Sequence, residues 1–262
     1  MKKISSLLLL YLSCFSCNST SEKIEKDSRT ARIVENKIEI SNDQISGSQD
    51  SVHSQRRTDP KNYMDFVPEG YQVFEDETVK IEKGDLNSDG LADVVFMVKK
   101  INPSNIVIHE QRGKLDMNRR GIIVLLKKGD GFVKAVQNLD CFSSENEDGG
   151  VYYAPEVNFN IEGGKLHLSF AHGRYGYWNY TFRYQQKDMA LIGYDSYASN
   201  GPVPQYSTSI NFLTKKKLFR ENLNKNDPGE DFTENFKETW EKIEVPHLLR
   251  LSKIDDFDQL QF

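Results

Sequence analysis

Cysteine is nearly absent from this chain, with three in 262 residues, at positions 14, 17 and 141. Two of the three fall within the first seventeen residues, so a disulfide scaffold has almost nothing to build with. Long apolar runs are missing too. The stretch Ile4–Leu12 falls well short of the roughly 20 apolar residues that a membrane-spanning helix needs. Basic charge is not in excess: 34 Lys and Arg face 39 Asp and Glu, a net charge of −5. Such a chain lacks the basic face by which nucleic-acid-binding proteins grip phosphates. No glycine-rich phosphate loop is found, and His109, His167, His172 and His247 are far apart and show no metal-ligand spacing. Neither the serines nor Cys141 stand in a nucleophile motif. These histidines are therefore read as structural or exposed side chains.

The first residues carry a targeting pattern. Lys2 and Lys3 give a positive start, a short apolar stretch follows, and small residues precede two cysteines in "LSCFSC". That order is a secretion signal. "FSC" ending at Cys17 resembles the lipobox of bacterial lipoproteins, and the resemblance implies that Cys17 is acylated and becomes the mature N-terminus. Cys14, preceded by Ser13, is the alternative. Cys17 is favoured because polar chain follows it directly, whereas Phe15 follows Cys14. Residues 1–17 are thus expected to be signal peptide and lipobox, the protein exported and held to the membrane of a bacterial cell envelope by lipid. Losing Lys2 and Lys3 moves the net charge from −5 to −7. With Cys17 acylated, Cys141 would be the last free thiol and no intrachain disulfide would be available.

Residues 18–58 are rich in Ser, Glu, Lys, Asp and Asn, with scattered aliphatics and no aromatic residue. Such a segment buries too little apolar surface to offset its ordering entropy, and a polar tether is expected. About 40 flexible residues reach roughly 35 Å, enough to hold a domain clear of lipid headgroups. A short strand over "KIEISN", Lys37 to Asn42, is the alternative.

The folded domain is expected over 59–262, a length able to bury a substantial core. "DVVFMVKK" and "RGIIVLLKKGDGFVKAVQ" are short β-branched runs bounded by Gly, Asp and Lys, the pattern of strands. "KKGDG" marks a hairpin. "GKLHLSFAH", "WNYTFRYQ", "MALIGYD" and "STSINFLT" follow as a meander. The fold class predicted is mainly β, with antiparallel sheets in a sandwich or a partly open barrel or propeller-like meander. One C-terminal amphipathic helix is also expected. Asp231 and Glu234 form a capping box, Phe232, Phe236, Trp240 and Ile243 recur at helical spacing for packing on the sheet, and Pro246 ends the helix.

The stretch "GDLNSDGLADVVF", residues 84–96, concentrates acidic and amide side chains ahead of an apolar run. Oxygen side chains fall on alternate positions at Asp85, Asn87 and Asp89, then at Asp93, with the Leu91 carbonyl between and Gly90 allowing a sharp turn. Calcium takes six to eight oxygens, and a tight loop with alternate residues turned inward supplies them. Position 12 of the loop is Phe96 rather than the bidentate glutamate of an EF-hand. The stretch resembles the calcium loop of FG-GAP and VCBS-type repeats, known from integrin-like propeller blades, where D-x-[DN]-x-D-G-x-x-D joins two strands. The resemblance implies Ca2+ bound structurally by Asp85, Asn87, Asp89, Leu91 and Asp93. No second copy of the motif occurs, so a single hairpin is expected. An Asx-rich turn that binds nothing is the alternative. Beyond the loop, the chain resembles uncharacterised bacterial secreted proteins.

The segment "HGRYGYWNYTFRY" places His172, Arg174, Tyr175, Tyr177 and Trp178 together as a possible binding surface, since aromatics stack on sugar rings or apolar partner surfaces and Arg pairs with acids. Strand packing is the alternative for the same aromatics. Glu145, Glu147, Asp148 and Asp195 are candidate acids for glycoside hydrolysis, and a solvated loop is the simpler reading of "SSENEDGG". The function expected is a non-catalytic envelope lipoprotein whose calcium-stiffened β-rich domain binds a protein or glycan partner, with no nucleic acid. A hydrolase acting on a cell-surface polymer is the alternative.

Overall fold

Contiguous β-branched and aliphatic residues build the first of two main sheets. The computed structural model describes residues 60–146, 154–226 and 234–262. β1 (Tyr71–Phe74), β2 (Glu82–Gly84), β3 (Asp93–Lys100), β6 (Arg120–Lys128) and β7 (Gly131–Phe142) form an antiparallel sheet in the order β1-β3-β6-β7, with β2 also on β3. Between them, β4 (Ile106–His109) and β5 (Gly113–Asp116) make a separate hairpin. Every residue from Asp93 to Lys99 is buried. Sheets covered on both faces read as unbroken apolar runs rather than alternating ones, which explains "DVVFMV" and "GIIVLL". On one face Val94, Phe96, Val98, Ile123 and Leu125 pack under Tyr63, Phe66 and Val67. On the other, Val95, Met97, Ile122 and Val124 meet the second sheet.

The second sheet is a seven-stranded meander of β8 (Glu156–Glu162), β9 (Lys165–Ala171), β10 (Gly176–Gln185), β11 (Asp188–Asn200), β12 (Val203–Asn211), β13 (Lys216–Asn222) and β14 (Phe236–Lys242). Its strands alternate, as in β9, where Leu166, Leu168 and Phe170 are buried and the residues between are not. That is the signature of a sheet with one wet face. The two sheets stack as a sandwich and neither closes into a barrel. The shared core of Phe142, Phe159, Leu168, Phe170, Tyr180 and Phe182 is completed by Leu251, Ile254 and Phe257 from the C-terminal segment. Phe257 stacks on Phe142 at 4.9 Å and 7° and meets the Tyr180 ring at 5.0 Å. The Asn138 amide on β7 donates to the carbonyls of Leu251 and Ile254 at 2.8 and 2.7 Å, clasping that segment in place.

The hairpin over "KKGDG" forms, with Lys128 opposite Gly131, and its positive φ of 55° falls on Gly129. The C-terminal helix does not form. Residues 236–242 are strand β14, paired along its length with β13, and the helical turns that follow are short 3-10 turns at Leu251–Lys253 and Phe257–Gln259. The reason lies in the spacing. Phe232, Phe236 and Trp240 recur every four residues, which suits one face of a helix and equally one face of a strand of period two. Pairing with β13 decides for the strand, and Trp240 ends 63% exposed instead of in the core. Asp231 and Phe232 lie outside the described residues, as do the expected signal peptide, Cys14, Cys17, the polar tether and "KIEISN".

Candidate functional site

The acidic loop is the β2–β3 connection. Gly84 pairs with Asp93, so residues 85–92 close one end of the first sheet. Asp85 accepts the amides of Gly90 at 2.8 Å and Asp89 at 3.2 Å. Asn87 accepts the same Asp89 amide at 3.0 Å and donates to Asp89 at 2.9 Å, while Asp89 accepts the Leu91 amide at 2.8 Å. Ser88 and Gly90 take positive φ values of 62° and 82°, which turn the chain this sharply. The Gly90 amide foremost, with other loop amides, holds the Asp85 carboxyl below the usual carboxylate range. Asp93 sits beneath the loop, fully buried, and its two oxygens accept the amides of Leu86 and Lys127, each at 2.8 Å. Burial first, and then the charges of Asp89 and Asp85, push its carboxyl up against the pull of those amides.

The donor set is of the kind a hard cation takes, since residues 85–93 carry three carboxylates and a carboxamide and each carboxylate has about four lone-pair sites, more than the loop amides use. As the side chains stand, no group of three or more His, Cys, Asp or Glu among the described residues is gathered closely enough to hold a metal. The loop's own amides take up part of that oxygen capacity. Leu91 donates its amide to Asp89, and its side chain is 41% exposed.

The outer turn of this loop is also one wall of a cleft of about 530 Å3, lined by Gly90 and Leu91 together with Lys61, Tyr63, Lys83, Lys127 and Phe132. Two ammonium groups thus stand by aromatic rings, and that of Lys61 lies 3.9 Å from the Asp130 carboxylate. The Lys83 Nζ stands 5.8 Å from the Tyr63 ring centroid and the Lys127 Nζ 4.5 Å from that of Phe132, while Tyr63 and Phe132 meet edge to face at 6.4 Å. Sequence reasoning passed over all five, because they come from the segment before β1 and from β2, β6 and β7 and share no local pattern.

The aromatic segment beginning at His172 divides between surfaces. His172, Arg174 and Tyr175 gather around a 3-10 turn, with the His172 and Tyr175 rings 5.7 Å apart and the Arg174 guanidinium 5.5 Å from the Tyr175 ring. Tyr177 is 47% exposed and stacks on Tyr197 at 5.4 Å. Trp178 points to the opposite face, stacked on the core ring of Phe170 at 5.2 Å and 7°.

Of the candidate acids, Glu145 pairs with the buried ammonium of Lys99, which it shares with Asp116 at 2.8 Å. Asp195 is exposed on β11, with Asn179 and Ser209 as its cross-strand neighbours. Glu147 and Asp148 lie outside the described residues. Burial pushes the Cys141 thiol far above its ordinary value, which leaves it an inert core group. A second cavity of about 290 Å3 is lined by Leu191, Ile210, Phe212, Ile243, Val245 and Phe262, among others. It falls at the lower edge of the roughly 300–1,000 Å3 typical of ligand sites.

No protein-family model matches the chain, and neither a curated protein nor a solved structure matches it.

Proposed function

We propose that this protein is a non-catalytic, lipid-anchored component of a bacterial envelope whose β-sandwich, stiffened by calcium in the 85–93 loop, binds an acidic glycan in the cleft beside that loop. The observation that carries the reading is the cleft's composition. Tyr63 and Phe132 offer rings on which sugar faces stack, Lys83 and Lys127 offer cations beside them for carboxylate groups, and Lys61 lines the same cleft. Of a protein and a glycan partner, the glycan suits an open cleft of this size with charge at its rim. Asp85, Asn87, Asp89 and Asp93, with the Leu91 carbonyl, would hold the calcium ion, whose role is to fix the loop. Gly90 and Leu91 form part of the cleft wall, so fixing the loop shapes the cleft. Cys17 is the acylation site in this reading. Tyr177 and Tyr197 offer a second exposed aromatic surface for the same partner.

The test is thermal unfolding of the full chain in chelator and in millimolar calcium, followed by titration with polygalacturonate in both conditions. Calcium at about ten times its Kd stabilises by roughly 1.4 kcal/mol, a rise in Tm of about 3–6 °C. The rise should vanish in Asp89→Ala, and glycan binding should weaken in chelator and in Lys127→Ala. Unchanged Tm with no metal in the purified protein rejects the calcium site. Polygalacturonate binding that is absent, or indifferent to Lys127→Ala, rejects the cleft.

A further inference from the structure

We infer that the free edge of the second sheet, strand β14, is a self-association surface on which a second copy of this chain pairs antiparallel through a two-fold axis at Thr239. The inference is independent of the glycan reading. β14 ends the seven-strand order and pairs only with β13 among the described residues. Its hydrogen-bonding phase is fixed at both ends, where Leu223 donates to the Asn235 carbonyl at 2.8 Å and Ile243 to the Lys215 carbonyl at 3.0 Å. Odd-numbered residues of β14 therefore bond to β13. By the alternation of an antiparallel ladder, the N–H and C=O groups of Phe236, Glu238, Trp240 and Lys242 face outward, with no backbone partner among the described residues.

A two-fold axis at Thr239 puts Phe236 opposite Lys242 and Glu238 opposite Trp240 of the other copy. These are the outward-facing residues, so all seven positions of the strand pair in the correct phase. Lys237 then falls opposite Glu241 of the second copy, twice, in the closely spaced non-hydrogen-bonded pairs where cross-strand side chains interact most directly. Within one chain Lys237 already lies beside Glu221, and Glu241 beside Lys217. Across the interface the row therefore reads Glu221, Lys237, Glu241, Lys217, alternating in sign over four strands.

Neighbouring registers lack this property. An axis at Glu238 sets Glu238 against itself. An axis at Trp240 sets Glu238 against Lys242, and that row ends with Lys242 beside Lys216, two like charges. The Lys242–Lys216 contact lies within one chain and is present in every register, but of these only the Thr239 register builds a row that alternates in sign across all four strands. It also brings the two Trp240 rings, each 63% exposed in the single chain, to diagonal positions within aromatic reach.

The experiment is sedimentation of the full chain over a concentration series at moderate salt, with Lys237→Glu and Glu241→Lys measured separately and mixed. Wild type should move toward twice the monomer mass as concentration rises. Each reversal sets like charges opposite each other twice and should raise the dissociation midpoint about tenfold or more. In an equimolar mixture, a dimer of one variant with the other again sets opposite charges against each other at both cross-strand pairs, and should recover wild-type association. That recovery also separates lost pairing from lost folding. A wild type that stays monomeric throughout, variants that associate as wild type does, or a mixture no better than its parts would each overturn the inference.

Discussion

Replacing Asp93 with alanine tests what holds the acidic loop to the sheet. The carboxylate is fully buried and bonded at 2.8 Å to the Leu86 amide at the loop's start and at 2.8 Å to the Lys127 amide on the neighbouring strand β6. It thus ties the loop's first turn to a strand more than thirty residues away. Asp93→Ala orphans both amides, at about 1–3 kcal/mol each. Relief from burying a carboxylate whose ionisation burial already disfavours offsets part of this. A net loss of about 3 kcal/mol follows, or a fall in Tm of roughly 6–12 °C for a domain of this size. Asp93→Asn keeps one acceptor but turns an NH2 toward the other amide, and should fall between the two. Urea and thermal unfolding in excess chelator are the assay, because chelator removes any metal contribution and leaves the hydrogen bonds alone. An Asp93→Ala variant within about 0.5 kcal/mol of wild type, the range of ordinary surface changes, would refute the reasoning.

Two glycines and a set of buried or hydrogen-bonded carboxyls carry two further predictions. At Gly121, on β6, a Cβ would lie 2.3 Å from the Asn138 carbonyl oxygen and 2.4 Å from the Leu139 backbone, where β7 bulges against its partner. Gly121→Ala should cost about 3 kcal/mol by urea unfolding, while Gly193→Ala, whose nearest neighbour would be 3.5 Å away, should cost less than about 1 kcal/mol; similar losses would discount the close approach. Stability should also fall on acidification. At Asp76 and Asp116 burial alone would raise the carboxyl, but the amides of Val79 and Thr78 in one case and Lys99 in the other outweigh it, and both sit below the ordinary range. A lowered folded value means stability that is present above the unfolded pKa of about 4 and is lost as pH falls through the folded one. Asp93, raised, runs the other way and opposes the loss in part. A urea midpoint that does not drop between neutral pH and pH about 3 would contradict this balance.

Most strands were legible in the sequence because their signals are local. Alternation in "KLHLSFA" and "WNYTFRYQ" marks the wet-faced sheet, and unbroken runs in "DVVFMV" and "GIIVLL" mark strands covered on both sides. The 236–242 segment departs from expectation because a spacing of four is a near-turn of helix and also two periods of a strand, and the capping pair at Asp231 and Glu234 favours the helix. Only the register with β13 distinguishes the two, and register is a long-range property. The acidic loop was legible as a turn between strands. Its tie to Lys127 was not, nor was the sharing of Lys99 by Asp116 and Glu145, nor the cleft of Lys61, Lys83 and Lys127. Each joins residues far apart in the chain that meet only once the strands of the first sheet have paired. The aromatic segment shows the same limit within two residues, since Tyr177 and Trp178 are adjacent in sequence and point to opposite faces of one strand.

Phe257 carries a consequence for the order of assembly. Its ring lies against Phe142 and Tyr180, and its segment is clasped by Asn138, more than one hundred residues earlier in the chain. During synthesis, both sheets emerge before the piece that fills the space between them. Long-range closures of this kind are slow, and until they occur apolar surface stays open to water and to other chains. A nascent chain in that condition is held back from its final packing until Phe257 is available. Phe257 is made after the rings it packs against, so the finished stack on Phe142 and Tyr180 comes at the end of synthesis.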